Sequence, residues 1–114
     1  MTTFDERERA FERHFVQDEE QRFRARMRRN RLLALWACER MRLPEQAAER
    51  FVEAFTDRGV LTADGPLVAE LQADLKAAGI EATLPDLHAE MARCAAVAGA
   101  ELRVGVALDQ SRPV

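Results

Sequence analysis

Tyrosine is absent from this chain of 114 residues, and cysteine, proline and glycine are scarce, at two, four and five residues. Each shortage removes a class of protein. So few glycines and prolines exclude collagen-like and low-complexity architectures and leave little punctuation for a fold of short strands and turns. The β-branched runs that strands favour are missing too. Cys38 and Cys94 stand far apart with no Cys-x-x-Cys pair, so neither a zinc site nor a disulfide framework is indicated, and both are expected to pack as small hydrophobes. No stretch approaches the roughly 20 consecutive apolar residues of a membrane span, and the charged opening "MTTFDERER" lacks the apolar core of a secretory signal. A cytosolic protein without direct membrane insertion is expected.

What the chain has is charge and helix formers. Charged residues make up 32 % of it and apolar residues 47 %, with Ala, Leu, Glu and Arg prominent, a mixture that favours helices. The length suits one small domain with a single modest core. A formal net charge of −3 hides a dipolar first third. Residues 5 to 20 carry Asp5, Glu6, Glu8, Glu12, Asp18, Glu19 and Glu20 against Arg7, Arg9 and Arg13, whereas residues 22 to 31 hold six Arg and no acid.

With no Gly or Pro before Pro44, residues 3 to about 42 can form one long helix, capped by Thr2 or Thr3 with Glu6 closing a capping box. Its apolar face is interrupted. At about 100° per residue, Phe4, Phe11 and Phe15 share one line, which then runs through Asp18, Glu19, Arg22 and Arg26. A dense apolar cluster appears only at "LLALWAC", so the core is expected to begin between Phe23 and Leu32. Pro44 and Gly59 bracket a second helix with Ala47, Ala48, Phe51, Val52 and Phe55 on one face. Asp64 or Gly65 caps a third, with Pro66 in its first turn, Leu67, Val68, Leu71, Leu75 and Ala78 on one face, and Gly79 as the stop. Thr83 and Asp86 open a fourth, carrying Leu84, Leu87, Met91, Cys94, Ala95 and Ala98. The expected fold is an all-α, antiparallel four-helix bundle over residues 21–99, with helices near 21–42, 44–58, 66–78 and 84–98. Residues 1–20 form a helix-capable segment, flexible when free, and residues 100–114 a loose tail.

Catalytic chemistry finds little support. His14 and His88 lie far apart, without ligand spacing. The turn "GVLTADGP" lacks the Lys-Ser/Thr of a phosphate loop, and Pro66 removes an amide donor from it. No catalytic residue, metal ligand or cofactor site is therefore assigned, and Trp36 is expected in the core. The basic block Arg22 to Arg31, with Phe23 interleaved, is open to two readings: phosphate and base contacts in a nucleic-acid-binding helical module, or pairing with acids of the chain itself or of a protein partner. The acidic whole favours the second reading, and no nucleic acid is expected as a partner. The opening stripe in "FDERERAFERHF" is too narrow to build a core, and it has the composition of a segment that folds into a partner's groove.

The first forty residues closely resemble the N-terminal signature of the ATP synthase (F-type ATPase) inhibitor zeta subunit family of alphaproteobacteria. Matching positions are Thr2 to Asp5, Arg7, Ala10 to Glu12, Phe15, Asp18 to Glu20, Phe23, Arg28 to Asn30, Leu32, Leu33 and Leu35 to Ala37. The chain departs from the pattern at Val16, Gln17 and Gln21, where the family usually has Ala, His and Leu. The resemblance implies a non-enzymatic regulatory subunit whose N-terminal segment inserts into a catalytic α/β interface of the ATPase head, beside the central rotor, and blocks rotation in the hydrolytic direction. By the same resemblance Phe4, Asp5, Arg7, Phe11, Glu12 and Phe15 belong to the inhibitory segment. Phe23, Arg28, Arg29, Asn30 and Trp36 belong to its junction with the bundle. It further implies a monomer when free, located in the cytoplasm at the inner membrane when bound to ATP synthase, and weak binding of ATP or ADP at residues it does not identify.

Overall fold

In the computed structural model, which describes residues 2–111, the helix formers between Thr2 and Met41 give one uninterrupted helix, α1 (Thr2–Met41). Three more follow: α2 (Glu45–Leu61), α3 (Asp64–Ala77) and α4 (Leu84–Ser111). The described residues contain no strand, so the fold is all-α. At 1.5 Å per residue α1 is about 60 Å long, close to the 65 Å long axis of the whole molecule. The other helices pack along its C-terminal part.

Two of the helix ends use the same device. After α3, Gly79 takes the left-handed conformation (φ +82°), the Gly79 amide donates to the Lys76 carbonyl at 2.9 Å, and the Ile80 amide reaches the Leu75 carbonyl at 2.9 Å. This is a Schellman stop, with Ile80 folded back against the core. After α1 the same pair of bonds runs from Arg42 to Glu39 and from Leu43 to Cys38, both 3.2 Å. There the left-handed residue is Arg42 (φ 53°), whose Cβ makes that conformation unfavourable. The fourth helix begins as expected, with the Asp86 amide donating to Thr83 Oγ1 at 3.2 Å.

Burial follows the periodicity of each helix. Leu33, Ala34, Ala37 and Cys38 of α1 meet Val52 and Phe55 of α2, Leu67, Val68, Leu71 and Leu75 of α3, and Leu87, Met91 and Cys94 of α4 in one cluster. Phe51 stacks on Phe55 with ring centroids 6.0 Å apart. Both cysteines are buried and unbridged, and burial pushes both thiols up from their ordinary pKa. Ala78, Leu84 and Ala95, expected on buried faces, are exposed.

Four boundaries differ from the sequence reading. Pro44 is the N-cap of α2 rather than a first-turn residue, and Ala63 caps α3, with Asp64 as its first residue. Gly59 is not a stop, since α2 runs on to Leu61 and Gly59 is buried within it. The loose tail expected from Ala100 is helical as far as Ser111. Leu102, four residues after the buried Ala98, keeps the apolar stripe going and is itself half-buried, and Gly99 and Gly105 alone do not end a helix whose next proline is Pro113.

Because Arg42 occupies a glycine position, Arg42→Gly is expected to stabilise the fold by about 0.5–1 kcal/mol, the left-handed penalty outweighing the entropy glycine adds to the unfolded chain. Thermal denaturation should show a melting temperature a few degrees higher.

Candidate functional site

Every side chain described between Asp5 and Arg24 is exposed, Asp5, Arg7 and Glu12 among them; Ala25 is the first half-buried residue and Asn30 the first fully buried one. The side chains of Phe4, Phe11, His14 and Phe15 lie outside the described residues. Their backbone belongs to α1, and helical spacing aligns positions 4, 11 and 15 with Arg22, Arg26, Arg29 and the buried Leu33. The stripe therefore lies on a line that enters the core further along the helix. At the other end of that line the core packing fixes α1; at this end the exposed part stands clear of α2, which ends level with Arg26.

The basic block at the root of the exposed part is directed inward. Arg26 Nη2 donates to the Val60 carbonyl at 3.1 Å, closing one of the open carbonyls at the end of α2. Arg28 grips Glu101 of α4 through Nε at 2.7 Å and Nη2 at 3.4 Å. Arg29 grips Asp64, the first residue of α3, through Nη2 at 2.8 Å and Nη1 at 3.1 Å, and also donates to Asn30 Oδ1 from Nε at 3.1 Å and Nη2 at 2.9 Å. Within four residues α1 is thus tied to all three other helices. The ion pair nearest the exposed part, Arg22 with Glu19 at 3.2 Å, joins exposed side chains within α1 and adds little stability.

Asn30 is fully buried. Its Nδ2 has no hydrogen-bond partner, and a Cβ at Gly59 would sit 2.4 Å from that atom. Glycine is required there because the Asn30 side chain occupies the place of a methyl group. The contacts of α1 with α2 run in opposed order, Cys38 Sγ with the Ala48 carbonyl, Asn30 with Gly59 and Arg26 with Val60.

The residues assigned to the junction are placed unequally. Arg28, Arg29 and Asn30 form one cluster at the root. Phe23 is an exposed residue one turn before it. Trp36 lies two turns beyond, half-buried against the core, with the Arg40 guanidinium 5.3 Å over its ring. Sequence reasoning missed Gly59, Asp64 and Glu101, the partners of this cluster. Gly59 carried a signal, a glycine six residues before the next helix breaker, Gly65, but it also read as a stop. Asp64 and Glu101 carried none, because only the packing brings them to the arginines.

The sequence model of the family described as ATPase inhibitor subunit zeta matches residues 1–101. The chain belongs to the ATPase inhibitor zeta family. No curated protein and no solved structure matches it significantly. Family membership makes it a regulatory protein that inhibits an ATPase, acting on ATP synthase rather than as a catalyst. Among the described residues no helix is long and apolar enough to cross a membrane, and no group of three or more His, Cys, Asp or Glu is placed to hold a metal. In this zeta-family chain Arg26, Arg28 and Arg29 are engaged within the fold, which takes half of the basic block away from any role as a phosphate-binding surface.

Two outcomes follow from the cluster. Gly→Ala inside a helix ordinarily stabilises by up to ~1 kcal/mol; Gly59→Ala is instead expected to destabilise by about 1–3 kcal/mol through its collision with Asn30. In an Asn30→Ala background the loss should shrink, and a denaturant double-mutant cycle measures the coupling. The hydrogen bond from Arg28 holds the Glu101 carboxyl below its ordinary value of 4.5, so its ionised form stabilises the fold at neutral pH and that contribution is lost as pH falls through the lowered value. Glu101→Gln should accordingly be less stable than wild type near pH 7, and the gap between the two melting temperatures should close as pH falls through that lowered value.

Proposed function

We propose that the chain inhibits ATP hydrolysis by ATP synthase by inserting the exposed N-terminal part of α1 into a catalytic α/β interface of the head, next to the central rotor. There it blocks rotation in the hydrolytic direction. The observation that carries this reading is the contrast within one helix: full exposure of the described side chains from Asp5 to Arg24, and a multiply tied root at Arg26 to Asn30. An inserted obstacle has to reach away from its own domain and has to be held there. With α2 ending level with Arg26, the segment before it reaches about 35 Å at 1.5 Å per residue.

The four helices serve in this reading as an antiparallel bundle that stays outside the interface. Phe4, Phe11 and Phe15 supply the apolar contacts, each worth about 1.5–3 kcal/mol when fully buried, from which the cost of ordering their side chains on binding is subtracted. Asp5, Arg7 and Glu12 provide the flanking polar contacts. Val16, Gln17 and Gln21, where the sequence departs from the family pattern, are all exposed, so any effect of these departures falls on partner contacts rather than on the stability of the fold.

Removal of residues 1–17 should leave the thermal unfolding of the helical core intact and abolish inhibition of ATP hydrolysis by the isolated ATPase head. Inhibition that survives the deletion undiminished would overturn N-terminal insertion.

A further inference from the structure

The seam along which α1 packs on α2 continues past the end of α2. By helical spacing Met27, Asn30, Ala34, Ala37 and Met41, all buried or half-buried, fall on the side of α1 where Arg26, Asn30 and Cys38 meet α2, spaced by alternating threes and fours as in a coiled coil. The same spacing, carried toward the N-terminus, passes through Phe23, Glu20 and Val16. Among the described residues no helix covers Phe23, Glu20 or Val16, all three of which are exposed. Leu61, the last residue of α2, is 93 % exposed, and Val60 beside it 40 %; the hydrogen bond from Arg26 to the Val60 carbonyl sets this end one turn from Phe23. Phe23 is 49 % exposed and Val16 54 %. The end of α4 leaves this side open, since it runs beside Asp18, Gln21 and Ala25, on the far side of α1.

We propose that Val16, Glu20 and Phe23, with Leu61 as the step at their foot, form a docking face for a helix of the ATPase head. That helix stacks on the end of α2 and continues the α1–α2 packing. The face is continuous with an interface the protein already makes, so its occupant is a helix of the same kind, apolar toward Val16, Phe23 and Leu61. A basic residue of that helix meets Glu20, which no cation pairs among the described residues.

A second copy of the chain is a poorer occupant. Three large side chains fall well short of the roughly 800 Å² per partner of a stable standard interface, and N-terminal to Val16 the seam turns polar, with Glu12, Arg9 and Asp5. Such a face holds only a partner anchored elsewhere. The inserted N-terminal segment supplies that anchor, so the inference rests on the proposed insertion and adds to it a second contact, about 125° around the helix from the phenylalanine stripe.

The test uses the full chain with a photoreactive phenylalanine analogue at position 23 or 61, irradiated with the purified ATPase head. Adducts with a subunit of the head from both positions are expected. The pair Phe23→Asp and Leu61→Asp should keep the wild-type melting temperature, both residues being exposed, and weaken inhibition by about tenfold or more. Adducts only between copies of the chain, or inhibition by the double variant equal to that of wild type, overturn the docking face and leave N-terminal insertion standing. A wild-type chain that neither binds nor inhibits the head removes both.

Discussion

Arg29 holds Asp64 and Asn30 at once, and Asn30 in turn lies against the backbone of Gly59. One turn of α1 thereby sets where α2 ends and where α3 begins. The arrangement has a cost, because the buried Nδ2 of Asn30 makes no hydrogen bond and an idle buried donor destabilises by about 1–3 kcal/mol. What it gives is register. The small side chains along α1 and α2, Ala34, Ala37 and Ala48, would tolerate a slide of one helix past the other; a side chain that fits only opposite a glycine does not. With the register fixed, Arg26 meets the end of α2 and the two-residue link to α3 delivers Asp64 to Arg29.

The same cluster accounts for the charge asymmetry of the first third of the chain. An acidic run followed by six arginines suggests a segment that folds back on its own basic block or pairs along its own helix, as Asp18 with Arg22 and Glu20 with Arg24 would at i,i+4 spacing. The structure spends the arginines differently. Arg26, Arg28 and Arg29 turn to α2, α4 and α3, and Arg22 takes Glu19 instead of Asp18. With Arg26, Arg28 and Arg29 engaged by the other helices, half of the basic block is taken from the acidic run. The carboxylates from Asp5 to Glu20 remain exposed to water.

The helices could be read in the sequence because each announces itself locally. Pro66 and Gly79 bracket α3, Thr83 opens α4, apolar positions three and four apart mark Phe55, Leu71 and Met91 as core residues, and the dense run "LLALWAC" marks the core part of α1. The misreadings share a cause. Gly59 looks like a stop in one dimension and proves to be a contact point in three. The stretch after Ala100 looks aperiodic until α1 is placed beside it, when Leu102 and Glu101 become partners of a neighbouring helix. Arg42 in a left-handed conformation is invisible in the same way, since the sequence at that point shows neither Gly nor Asn. The candidate site divides along this line: the alignment of positions 4, 11 and 15 is a periodic pattern legible in one dimension, whereas the anchoring partners Gly59, Asp64 and Glu101 are products of tertiary packing.

The length of α2 ties anchoring to presentation. Two further turns of α2 would bury Phe23 and Val16 and turn that part of α1 into ordinary core. The chain instead breaks at Thr62 and Ala63, both extended or at the helix boundary, and restarts α3 at Asp64. Had the break come later, Arg29 would lack its carboxylate and the exposed half of α1 its firmest tie. Coming where it does, the break that supplies Asp64 also withholds a covering helix from Phe23. The root of the segment and its uncovered face are two results of one turn in the chain.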